Sequence, residues 1–174
     1  MRRRYISGSR LFILPVGFLI FFVTSCASLE VSTPRSGSGF LRREFLDYKS
    51  VAVLPFGGDN SGEVCDAFAE GFQKRFSQVL TVDRQQVLKV LGPTRPLDRL
   101  DDVTREEVGK TFGAEAIIRG EVYYPSIVKW FLQVEIVDTK TGRILGRSLV
   151  EMDYMGALGK RDAGRLAVDK LTLW

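Results

Sequence analysis

Apolar and polar positions alternate most cleanly in the last third of the chain. Val128, Trp130, Leu132, Val134 and Ile136 alternate with Lys129, Phe131, Gln133, Glu135 and Val137. A period of two sends successive side chains to opposite faces, so residues 127–137 are expected to form a strand. The turn-forming run DTKTG (138–142) comes next, and RILGRSLVEMDY (143–154) is expected to return as its hairpin partner. Upstream, AIIRGEVYY (116–124) reads as a third strand, and SVAVLPF (50–56) as a fourth. The near-continuous apolarity of 50–56 suits an inner strand covered on both faces. LTVD (80–83) is a short fifth.

Helical periodicity separates these runs. Cys65, Phe68, Phe72, Phe76 and Val79 recur at spacings of three and four, with Ser61 as the expected N-cap. RQQVLKVL predicts a short helix ending at Gly92, then a loop with two prolines. Thr104 and Glu107 have the spacing of a capping box at the start of another helix, which Gly113 closes. A last helix places Ala163, Ala167, Lys170 or Leu171, and Trp174 on one face, weakened by Gly156, Gly159 and Gly164. The expectation is an α/β fold: a single domain with a mixed sheet of about five strands packed with three to four helices. FLRREFLDYKS (40–50) reads as a mixed segment with a partial helix, and no internal repeat is present.

The amino end obeys neither period. Arg2, Arg3, Arg4 and Arg10 precede a 13-residue apolar run (11–23). That length suits the core of an export signal and falls short of the ~20 residues of a spanning helix. Residues 1–25 are therefore expected to be removed. This changes the charge argument. The chain has 25 Lys and Arg against 21 Asp and Glu, but residues 1–25 hold four arginines and no acid. Residues 26–174 thus carry 21 charges of each sign and have no global pull toward a polyanion, so no nucleic-acid partner is expected.

Val23-Thr24-Ser25-Cys26 behind that leader resembles the bacterial lipobox. The resemblance implies that Val23, Thr24 and Ser25 are recognised by the signal peptidase and that Cys26 carries a covalent acyl lipid; an ordinary secretory cleavage site beside a cysteine is the alternative. Several acyl chains make an effectively permanent anchor. Ala27 and Ser28, with no Asp beside the cysteine, resemble lipoproteins sorted to the periplasmic face of the outer membrane. Residues 26–39, rich in Ser, Gly and Thr, read as a flexible tether, and 40–174 as the single α/β domain.

Candidate chemistry is sparse. The chain has no histidine, which removes the commonest general base and metal ligand. Cys65, on the apolar stripe of its helix, reads as a buried core thiol. The loop GGDNSG (57–62) lacks the lysine of a phosphate loop, and Asp59, Asn60 and Glu63 miss calcium-loop spacing. Asp83 with Arg84 reads as a turn, Glu106 with Glu107 as a helix N-terminal cluster, and Arg42 with Arg43 as a solvated face offset by Glu44 and Asp47. No catalytic, metal or cofactor residue is assigned, and no enzyme activity is expected. Tyr123, Tyr124, Trp130 and Phe131 are expected to pack across adjacent strands, with an exposed subset available for contact.

Four blocks, VAVLPF, TVDRQQVLKVL, VGKTFGAEAIIRGEV and LQVEIVDTKTGRIL, succeed one another in an order and spacing that is familiar. Over residues 50–146 the chain resembles the superfamily containing the curli-secretion lipoprotein CsgG, the penicillin-binding-protein activator lipoprotein LpoB and the N-terminal domain of TolB. That resemblance implies backbone roles for Gly113, Gly120 and Gly142. It also implies an envelope location and work by protein–protein contact, with an unidentified envelope partner and membrane attachment through the lipid. The alternative it implies is a secretion-channel subunit, a homo-oligomer, although this chain lacks the extra segments that become membrane-spanning hairpins there.

Overall fold

A computed structural model describes residues 37–92, 102–153 and 159–174. The expected leader, Cys26, the tether up to residue 36 and the proline loop lie outside them. Six strands form one sheet: β1 (Gly37–Leu41), β2 (Ser50–Val53), β3 (Leu80–Val82), β4 (Ala116–Tyr123), β5 (Lys129–Asp138) and β6 (Ile144–Asp153), in the order β1-β6-β5-β4-β2-β3. β2 pairs in parallel with β3 and β4, while β4, β5, β6 and β1 are antiparallel neighbours. The helices are α1 (Glu63–Arg75), α2 (Arg84–Leu91), α3 (Asp102–Phe112) and α4 (Lys160–Asp169). The mixed α/β architecture expected from the pattern is the one observed, with one more strand.

That extra strand is β1, whose first three residues belong to the stretch expected as tether. Gly-Ser-Gly carries no apolar alternation; its extended state comes from pairing Gly37–Leu41 with Val150–Gly146 along the edge of β6. β2 is the inner strand its apolarity predicted, with Val51, Ala52, Val53 and Leu54 fully buried.

α1 and α4 pack together over one face of the sheet. α1 buries Phe68 and Phe72, Phe76 follows just past its end, and Phe45 from a single 3-10 turn (Arg43–Asp47) closes the cluster. The Phe72 and Phe76 rings lie 4.8 Å apart, and Phe45 meets both edge-on. Each such side chain contributes roughly 1.5–3 kcal/mol by leaving water. The helices touch closely at Gly164. A Cβ there would lie 2.4 Å from the Val64 carbonyl oxygen, so the glycine that weakens α4 alone is what lets it dock. α2 and α3 lie on the opposite face against β2 and the start of β4, burying Ala52, Leu54, Val87, Val108, Ala114 and Ile117.

Several local expectations are corrected. α1 ends at Arg75, and Phe76 and Val79 are buried beyond it. Its N-cap is Gly62, not Ser61. The Ser61 hydroxyl accepts only a long bond from the Glu63 amide (3.4 Å), whereas Asp59 accepts from the Cys65 amide at 2.9 Å. Thr104 does not open α3: the helix is already running at Asp102, and Thr104 is buried within it. Trp174 does not lie on the α4 face. The helix stops at Asp169, and the last residues extend beside β1, where the Trp174 amide donates to the Leu41 carbonyl (2.9 Å). Its indole stays 77% exposed.

Candidate functional site

α2 and α3 cover only part of their face. Over the second half of β4, β5, β6 and β1, the side chains pointing that way are exposed or half-buried, except Glu135 at 4% exposure and Val137, which is buried beside Ile117. Strand register sets this surface out in rows. Arg119, Glu135, Arg147 and Phe40 lie abreast in the first. Glu121, Gln133, Leu149 and Ser38 form the second, and Tyr123, Phe131 and Glu151 the third.

The first row is an electrostatic clamp. Arg119 donates to Glu135 Oε2 from two nitrogens, at 2.9 and 2.5 Å. Arg147 donates to Oε1 at 2.5 Å, and the Gln133 amide adds a 3.3 Å bond to the same oxygen. Burial alone would push the Glu135 carboxyl up, but the hydrogen bonds and charges of the two arginines together outweigh it and hold the group below its usual range. A carboxylate so occupied is not a general base. The Arg119 and Arg147 side chains remain 37% and 47% exposed, so both present donors outward. In the third row Tyr123 and Phe131 stack at 5.3 Å. This half-face offers guanidinium donors, an amide and aromatic rings, the groups that recognise another protein surface.

The other candidates are spoken for by the fold. Cys65 is buried; burial pushes its thiol up to about 12, and Sγ donates to the Leu54 carbonyl at 3.4 Å, as a core thiol should. The glycine loop is a connection pinned to β4: the Gly57 amide donates to Gly120 O, and the Val122 amide donates to Gly57 O. Gly58 has φ +71°, and a Cβ there would lie 2.1 Å from the Val122 oxygen. Asp59 has turned inward to the Cys65 amide of α1. Asp83 caps α2 through the Gln86 amide (2.9 Å). Arg84 is no mere turn residue, since it grips Asp66 of α1 at 2.6 and 3.0 Å. Arg42 is not simply solvated: its Nε donates to Ile144 O (3.1 Å), while Glu44 pairs with Arg143 instead (2.6 Å).

An open cavity of about 520 Å³ lies between α3 and the β5–β6 turn, lined by Glu106, Lys110, Thr139 and Lys140 among others. The Thr139 hydroxyl is committed to the carbonyls of Ala114 and Glu115. Among the described residues no three His, Cys, Asp or Glu side chains are grouped to hold a metal.

Of the four aromatics singled out in the sequence, Trp130 is core, Phe131 is half-buried, and Tyr123 and Tyr124 form the exposed subset. The sequence did not reveal the Arg119–Glu135–Arg147 row. Its only trace is a charge at the same register of three strands, which is legible once the pairing is known. Cys26, Val23, Thr24 and Ser25 lie outside the described residues.

No family model matches the chain, and no curated protein matches it by sequence. Among solved structures, the PelC dodecamer from Paraburkholderia phytofirmans matches at 11% identity with a TM-score of 0.52, covering 78% of this chain and 93% of that one. Lipoprotein GNA1162 from Neisseria meningitidis matches at 17% identity and TM-score 0.49, over 63% and 84% of the two chains. The LpoB C-terminal domain from Escherichia coli matches at 13% and 0.47, over 60% and 82%. At these identities the likeness to PelC is one of fold.

Proposed function

We propose that the chain is a lipid-anchored envelope protein that works by contact. Its uncovered sheet half-face docks an unidentified envelope protein partner. In this reading residues 1–25 are removed, with Val23, Thr24 and Ser25 as the peptidase's recognition residues. Cys26 carries the acyl lipid, and the domain faces the periplasm from the outer membrane. No catalytic step is part of it. The observation that carries the reading is the half-face itself. A sheet surface of exposed aromatics beside a pre-formed Arg119–Glu135–Arg147 clamp is rigid, and little entropy is lost in ordering it on contact.

A second reading, a subunit of a secretion channel or export assembly, is favoured by the fold likeness to a protein solved as a dodecamer. The same half-face would then meet another copy.

Site-specific photocrosslinking in cells tests both. A photoreactive residue at Gln133 is expected to give a defined adduct, and one at Gln73 on the exposed side of α1 is not. A distinct partner supports the interaction module, and self-adducts in a ladder support the assembly subunit. Equal adducts at the two positions, or none at Gln133, would overturn the docking face. Cys26→Ser separately tests the anchor: loss of acyl mass and of membrane attachment is the expected result.

A further inference from the structure

The tip of the β4–β5 hairpin exposes three large apolar side chains within residues 124–128. Tyr124 and Val128 are about half exposed, and Ile127 is 92% exposed. Tyr124 packs at 6.3 Å from the buried Trp130 ring, so the tip rises from a packed base. Below it Lys129 pairs with Glu151 and also faces Asp153 across the strands, so the base of the tip carries one net negative charge and no basic patch that would draw it to an anionic surface.

Topology adds the second observation. β1 begins at Gly37, opposite Val150 of β6, which lies abreast of Leu132 of β5. β1 runs away from the hairpin tip, so Gly37, its first residue, lies toward the tip's end of the sheet. β5 begins at Lys129, three residues or about 10 Å at strand rise beyond Leu132, and Ile127 stands in the turn past it. Cys26 is eleven residues before Gly37. That length reaches about 18 Å as a flexible coil and no more than about 40 Å extended. An anchor at Cys26 therefore holds the bilayer surface at about the distance to which the tip projects.

We infer that Tyr124, Ile127 and Val128 form a membrane-contact tip, seated in the interface of the bilayer that holds the anchor. The inference rests on the lipid-anchor reading above and adds an orientation to it. An isoleucine and a valine enter the acyl boundary, and the tyrosine stays at headgroup level with its hydroxyl in water. Two attachments then fix the domain, and the recognition half-face stands roughly upright on the membrane. Seating is driven by apolar area, so it should survive high salt.

The test uses the exported, processed protein reconstituted into phosphatidylethanolamine–phosphatidylglycerol vesicles. An environment-sensitive fluorophore is placed at Ile127→Cys or, as the control, at Lys140→Cys in the β5–β6 turn at the opposite end of the sheet. Cys65 is buried and does not compete for label. Mass spectrometry of Cys26 is read in parallel. The expected result is acylated protein whose 127 probe is blue-shifted and quenched several-fold more by spin-labelled lipids than the 140 probe. Adding Val128→Asp should return the quenching to the 140 level. Acylated protein with equal quenching at 127 and 140 overturns the tip and leaves the anchor standing. Protein without acyl mass overturns the anchor, and the orientation with it.

Discussion

The two faces of β5 come from one ten-residue strand but are finished differently. On the face under α1 and α4, Trp130, Leu132, Val134 and Ile136 are buried in a core dominated by phenylalanines. On the other, Phe131 and Gln133 are half open and Glu135 is buried by the arginines on either side of it instead of by a helix. The first face is closed by shape and apolar area; the second is closed, where it is closed at all, by charge. On the proposed reading the strand has two jobs: the covered face holds the fold, and the face that no described helix covers is the one a partner reads.

The comparison is broken most severely by Phe72→Ala. The side chain is fully buried between Phe45, Phe68 and Phe76, and its loss is expected to cost about 3–5 kcal/mol in denaturant unfolding. A cost below about 1 kcal/mol would mean that the core had collapsed around the gap and that the phenylalanine cluster is not what secures α1.

Glu135→Gln tests the charge-closed face and is expected to cost about 1–3 kcal/mol at neutral pH, since it weakens the bonds to both arginines without emptying the site. The pH dependence has a definite sign. The folded Glu135 pKa lies below the unfolded value, so its stabilisation is present above the unfolded carboxylate pKa of about 4.3 and is lost as pH falls through the folded pKa. The gap between native protein and variant should therefore close below about pH 4. A gap that stays constant through that range would show that the ionised carboxylate is not the source.

The smallest effect on stability is expected from Glu121→Lys, in the middle row of the open half-face. Glu121 is exposed, so the change should stay within about 0.5 kcal/mol. It should nevertheless abolish the adduct formed from position 133. Unchanged crosslinking with unchanged stability would move the docking surface elsewhere.

Much of this molecule is legible locally. The alternation over 127–137, the apolar run at 50–56 and the phenylalanine spacing of α1 each name their element, because backbone periodicity writes burial directly into sequence. Cys65 is readable as a core thiol for the same reason. The misses share a different cause. Gly37–Gly39 became strand only because β6 offered an edge, and Trp174 left the helical face because its amide found Leu41, far back along the chain. Asp59 displaced Ser61 at the start of α1 because pinning of the loop to β4 turned its carboxylate onto the Cys65 amide.

The sequence by itself determined the α/β class, the inner strand, the core stripes and the absence of histidine chemistry, all of which depend on neighbours a few residues apart. Only the tertiary structure decided the strand order, which half of one face no described helix covers, and that Arg119, Glu135 and Arg147 stand in a row. That row is set by pairings across 16 and 12 positions of chain, and a charge at one position carries no mark of the strand that will lie beside it. The same register places Gly37, where β1 begins, toward the hairpin's end of the sheet, a relation that no local period encodes.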